Sequence, residues 1–218
     1  MKFSLRPLAI AFLCSVLLLG ATSCRTVYYG AMEKIGFEKR DLLVRAVKAA
    51  KAKQKEAGGE YRDALTQLQA VYGRSGSNLE KAYDKLNAEY LSCETATGIV
   101  KHRIDEMDRV ASDLFKEWQK EVGTMSDASL AGASQTKLIE TKASFATLSS
   151  ALHTSYDAMP PVLAKLRDHT LYLKHNLNAE SLGALRGKAA AIQGDIQVLL
   201  DRMNRSISEA DAFVKTMN

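Results

Sequence analysis

"LEKAYDKLNAEYLSCETATGIVKHRIDEMDRVASDLFKEW", residues Leu79 to Trp118, decides the fold. Leu79, Tyr83, Leu86, Tyr90, Cys93, Thr97, Val100, Ile104, Met107, Ala111, Leu114 and Trp118 follow one another in alternating steps of four and three. That spacing keeps one seam facing a partner helix and implies left-handed supercoiling. Thr97 is the one plainly polar member, and its methyl group can pack. Cys93 sits in the seam and reads as a small core residue. "SNLE", Ser77 to Glu80, has the pattern of a capping box, with serine and glutamate each satisfying a free amide. A helix from there to about Met125 would be roughly 70 Å long.

Three further segments follow the same logic. Leu182, Leu185, Ala189, Ile192, Ile196, Leu199, Met203, Ser206, Ala210, Phe213 and Met217 repeat the steps, with Asn178 as the expected N-cap. Leu138, Phe145, Leu152, Met159, Leu166 and Leu173 recur every seventh place, straight through Pro160 and Pro161. A proline removes one ladder bond, so a kink or short break is expected there, with the helix resuming on the same face. The first segment reads more weakly. Val44, Val47, Tyr61, Leu65, Leu68 and Tyr72 lie near one stripe, but Gly58 and Gly59 interrupt it and predict a bend. "GRSGSN" (73–78), "GTMSDAS" (123–129) and "HNLNAES" (175–181) mark the turns. Four long helices with short turns run antiparallel. The expected fold is all-α: an elongated, coiled-coil-like four-helix bundle of two hairpins over residues 39–218.

Residues 1–23 read as a targeting segment. Lys2 and Arg6 precede an apolar run from Leu8 to Gly20, and small residues lead to Cys24. The order is that of a signal peptide, and the run is shorter than the roughly 20 residues a spanning helix needs. Residues 24–38 read as a tether.

Removing Lys2 and Arg6 from the 30 basic residues leaves 28 against 25 acidic ones. The remaining chain is thus mildly basic with mixed signs, the pattern of solvated helix faces. "KRDLLVRAVKAAKAKQK", Lys39 to Lys55, departs from it with seven basic residues and one acid. Within it Arg45, Lys48, Lys51 and Lys55 are candidates for contact with anionic lipid or cell-wall carboxylates, against the plainer reading of a solvated face. "LRDHTLYLKHNLN", Leu166 to Asn178, packs polar groups between leucines. Its plain reading is a polar end that caps the bundle. Its functional reading is a partner-binding tip made by Arg167, His169, Tyr172, Lys174 and His175, since tyrosine and arginine anchor interfaces.

Chemistry is hard to find. "GALRGKA", Gly183 to Ala189, fails as a phosphate loop: three residues separate the glycines, and alanine stands where a magnesium-binding hydroxyl belongs. His102, His153, His169 and His175 lack metal-ligand spacing and read as surface or seam-edge residues. No serine sits in a nucleophile-elbow setting. No catalytic residue, cofactor or metal is expected, and no nucleotide. Mixed charge without a basic-aromatic platform argues against nucleic acid.

Two resemblances add to this reading. "ATSC", Ala21 to Cys24, resembles the lipobox of bacterial lipoproteins, with alanine in place of the usual first leucine. It implies lipidation of Cys24 by three acyl chains. Arg25 after the cysteine implies the outer membrane, facing the periplasm. "YYGAMEKIGFEKRDLLV" (Tyr28 to Val44), "LEKAYDKLNAEY" (Leu79 to Tyr90) and "LRDHTLYLKHNLNA" (Leu166 to Ala179) resemble a bacterial lipoprotein family catalogued as domain of unknown function 2959. That resemblance implies a Gram-negative envelope protein. The family has no established activity, so no site residues carry over. Similar proteins bear a DNA-repair ATPase label, which the failed phosphate loop argues against here. The expected function is a non-enzymatic envelope lipoprotein acting as a structural or adaptor protein. The alternatives are a binder of anionic membrane or cell-wall surfaces and a periplasmic holdase-type chaperone.

Overall fold

The computed structural model describes residues 39–73, 79–176 and 179–217. The residues read as a signal segment and a tether, with Cys24, Ser77 and Asn178, lie outside the described residues, as do the side chains of Leu182 and Leu185. The chain divides into two compact units, Met1–Leu42 and Leu43–Asn218. Of the first, only 39–42 is described, as helix.

Every described element is helical: α1 Lys39–Gly73, α2 Leu79–Val122, α3 Ala128–Asp157, α4 Met159–His175 and α5 Ala179–Met217. At 1.5 Å per residue the 44 residues of α2 span about 66 Å. Asp127 caps α3, its carboxylate accepting from the amides of Ser129 (2.8 Å) and Leu130 (3.0 Å). Asn176 caps α4, and its side-chain amide donates to Tyr172 O at 2.9 Å.

The expected break falls at Ala158, between α3 and α4. Pro160 and Pro161 then occupy the first turn of α4, where a helix has no use for their missing amides. The seam crosses the break in register: Leu148, Leu152, Ser155, Met159, Val162, Leu166 and His169 are all buried. Nine of the twelve seam positions of α2 are buried too, while Tyr83, Tyr90 and Trp118 are partly covered. The described seam of α5 is buried from Ala189 to Met217.

The bend expected at Gly58 and Gly59 does not interrupt α1, which stays helical from end to end. Its true seam is Leu43, Val47, Ala50, Gln54, Ala57, Tyr61, Ala64, Leu68 and Val71, all buried, in unbroken steps of four and three. Packing of that whole face outweighs about 1 kcal/mol of lost propensity per glycine.

Within Leu43–Asn218, α2 packs on α3 and α4, and both of these pack on α5. Helix α1 runs antiparallel to α5, since Lys51 pairs with Asp211 while Gly58, further along, faces Met203. Three buried contacts join α1 to the α3–α4 line: Gln54 to Ser155, Tyr61 to Met159 O, and Tyr72 to His169. Their numbers rise together, so these two lines run parallel. The rings of Phe115, Phe145 and Phe213 stack edge-on at 5.6 and 5.7 Å and tie α2, α3 and α5 together.

Candidate functional site

Helix α4 turns two kinds of face outward and inward. Arg167, Asp168, Leu171, Lys174 and His175 are exposed, at the spacing of one helical face. Leu171 is 46% exposed among these charges, which is unusual for a leucine flanked by buried Leu166 and Leu173. Lys174 and His175 occupy the last turn, where positive charge complements the helix dipole.

His169 and Tyr172 do not belong to that outer face. His169 is buried, with its Nδ1 hydrogen-bonded to the Tyr72 hydroxyl and its ring edge-on to the tyrosine. Three residues past Leu166, it occupies a seam position and cannot meet a partner without unpacking the bundle. The reading of His169 as a partner-binding residue is therefore corrected, and of the surface or seam-edge places expected for it the structure shows the seam. Tyr172 is half-buried and packs on the core. Burial also pushes the Tyr72 hydroxyl above the usual phenol range.

On α1, Arg45, Lys48 and Lys55 are exposed. Lys51 is not available in the same way, because its ammonium pairs with Asp211 of α5. The basic face is therefore narrower than its sequence, with Lys48 and Lys55 as its clearest exposed lysines.

Cys93 is fully buried and its thiol is free. Burial, then the carboxylates of Glu60, Glu89 and Asp63, raise its pKa above the usual thiol range. It is an inert core residue by that criterion, since the thiolate is the reactive form.

One cluster holds the residue types of a serine-histidine-aspartate relay. Asp108 accepts from Ser149 Oγ at 3.0 Å and from His153 Nε2 at 2.7 Å. The carboxylate, not the imidazole, is in the middle. The serine hydroxyl faces the carboxylate and not the imidazole, so the serine-histidine-aspartate order is not formed. The cluster clamps α2 to α3. Among the described residues, no three His, Cys, Asp or Glu side chains are grouped to hold a metal ion. No described helix is long and apolar enough to cross a membrane.

A shallow groove of about 320 Å³ runs between α1 and α2. Ala57, Leu91, Ala96 and Ile99 form its apolar lining, with Lys53 and Glu60 among the polar lining groups.

Fold and surfaces together define a helical-bundle protein whose seams are used internally and whose distinctive groups lie on outer helix faces. The chain belongs to the family described as Protein of unknown function (DUF2959), which matches residues 28–217. The matched span begins at Tyr28, inside the stretch read as a tether. No curated protein and no solved structure matches the chain.

Proposed function

We propose that the chain is a non-enzymatic lipoprotein of the bacterial envelope, held in the outer membrane through lipid on Cys24 and facing the periplasm. There it acts as a structural or adaptor protein, presenting helix faces to other envelope components. The observation that supports the adaptor role is the outer face of α4, where Leu171 stands exposed among Arg167, Lys174 and His175. An apolar centre with a charged rim is the anatomy of an interface. The anchor rests on the sequence: a positive start, a short apolar run and small residues ending at Cys24.

Two variants test the two halves separately. Cys24→Ala abolishes acylation and releases the chain from the membrane fraction; retention with acyl chains still attached contradicts the anchor. Leu171→Glu with Lys174→Glu, in an anchored and folded chain, removes the envelope proteins that co-isolate with the wild type. Unchanged co-isolation contradicts the α4 face.

A second reading, binding to an anionic lipid or cell-wall surface, is favoured by the exposure of Lys48 and Lys55. Each lysine near such a surface contributes about 1 kcal/mol, screened by salt. Lys48→Glu with Lys55→Glu is the informative pair, because changing Lys51 also breaks its contact with Asp211. The holdase reading needs broad exposed apolar surface, and the buried seams leave it the least supported.

A further inference from the structure

We propose that the groove between α1 and α2 docks a cationic amphipathic helix of a partner polypeptide. The floor and the rim of the groove each define part of that occupant. On α2, Leu91, Thr95 and Ile99 succeed one another at one-turn spacing, and Leu91 and Ile99 are 49% and 38% exposed. Ala57 and Ala96 keep the floor low between them. The stripe from Leu91 to Ile99 is about 12 Å long at 1.5 Å per residue, room for the apolar side chains of about two turns of a guest helix.

Charge decides which helix. One end of the groove carries Glu60 on α1, with Asp63 and Glu89 close enough to act on the same groups. Burial, then Asp63 and Glu60, hold the Glu89 carboxyl above its usual range. Negative charge therefore gathers at this end of the strip, with Glu60 in the lining and Asp63 and Glu60 both acting on Glu89. At the other end Lys53, the one lysine of the lining among the described residues, is bound to Glu56 at 2.6 Å. A guest that seats leucines between Leu91 and Ile99 and lays lysine or arginine over Glu60, Asp63 and Glu89 offsets that charge.

A second copy of this chain is a poor guest: its α4 face offers a single exposed leucine, Leu171, with the acid Asp168 beside it, too little to fill the strip. Its exposed lysines Lys48 and Lys55 lie beside Ala49 and Ala52, which offer no large apolar group to fill the floor. The residues that line the groove belong to α1 and α2 and include none of the α4 face, and the test below does not depend on lipid at Cys24.

The test uses the full-length chain in uncharged detergent, with a photo-crosslinking residue at Thr95 or, as control, at exposed Gln197 on α5. Three 18-residue probes are compared: a leucine-lysine amphipathic helix, its leucine-glutamate counterpart, and a scrambled leucine-lysine peptide without a stripe. The expected result is crosslinking of the first probe at Thr95, at least tenfold above Gln197 and above both other peptides. Glu60→Lys with Asp63→Lys lowers it at least tenfold, with circular dichroism unchanged. Equal yields at the two positions, equal yields for the lysine and glutamate peptides, or indifference to charge reversal overturns the proposal. Crosslinking of Thr95 mainly to a second copy of the chain also overturns it, by making the groove an interface between copies.

Discussion

Tyr61 on α1 places its hydroxyl 2.9 Å from Thr97 Oγ1 on α2, inside the bundle. Thr97 in turn donates to Cys93 O at 2.7 Å, so Tyr61 is the donor of the pair. Met159 O on α4 lies 3.4 Å from the same phenol oxygen. One hydroxyl thus links three helix lines where the sequence pattern alone calls for apolar contact. Tyr61→Phe leaves Thr97 still bonded to its own helix and is expected to cost about 1 kcal/mol. Thr97→Val leaves a buried phenol with only the long contact to Met159 O and is expected to cost more, about 1–3 kcal/mol. Urea denaturation of the two variants checks the order; an equal or reversed cost contradicts the assignment of the donor.

Alkaline pH should unfold the protein early. Burial raises Cys93 above its ordinary 9.0, and Tyr61 and Tyr72 above their ordinary 10.0. For each, the folded state holds its proton where the unfolded chain has lost it. Their contribution is complete below those ordinary values and is lost as pH rises above them. Each group adds a slope of about 1.4 kcal/mol per pH unit in that range. Tyr61→Phe removes one such slope. Stability measured from pH 8 to 11 checks this, and a slope unchanged in Tyr61→Phe contradicts it.

The continuity of α1 makes its glycines replaceable. A methyl added at Gly58 would lie 3.5 Å from Met203 Sδ and 3.9 Å from Leu200 Cδ2, ordinary packing distances, and at Gly59 it meets nothing within 4 Å. Gly58→Ala and Gly59→Ala are each expected to stabilise by about 0.5–1 kcal/mol, through helix propensity and a less flexible unfolded chain. Thermal melts of both variants decide it; destabilisation at Gly59 would show that the helix needs a glycine there.

These glycines also show what was legible in the sequence. The seams of α2 and α5 were plain because large apolar residues fill them. The α1 seam was obscured because Ala50, Ala57 and Ala64 alternate with Gln54, so hydrophobicity is low although the spacing is perfect. The same reason hid His169. Reading every seventh residue from Leu138 captures one seam of α3 and α4. The other seam, Leu148, Ser155, Val162 and His169, contains a serine and a histidine and passes as surface. Exposed Leu171 gives no sequence signal, since its solvent exposure depends on which neighbouring faces pack. The groove beside Leu91 is likewise a property of two helices together.

Gln54 is fully buried and donates to Ser155, while its Oε1 has no partner. A buried unpaired oxygen costs about 1–3 kcal/mol, and replacing both partners by apolar groups removes that cost. Gln54→Met with Ser155→Ala is expected to be neutral or stabilising, whereas Ser155→Ala alone, which strands the amide, destabilises. A double-mutant cycle in urea measures the difference, and an additive result contradicts the pairing.

The most direct test of the adaptor reading is photo-crosslinking in living cells of the source organism. Probes are placed at Arg167, Leu171 and Lys174 on α4 and at Lys48 on α1, in the full-length chain, with products identified by mass spectrometry. The adaptor account predicts one reproducible envelope protein crosslinked from the α4 positions and not from Lys48. Crosslinks confined to lipid or cell wall, and concentrated at Lys48, would contradict it and make the chain a surface binder.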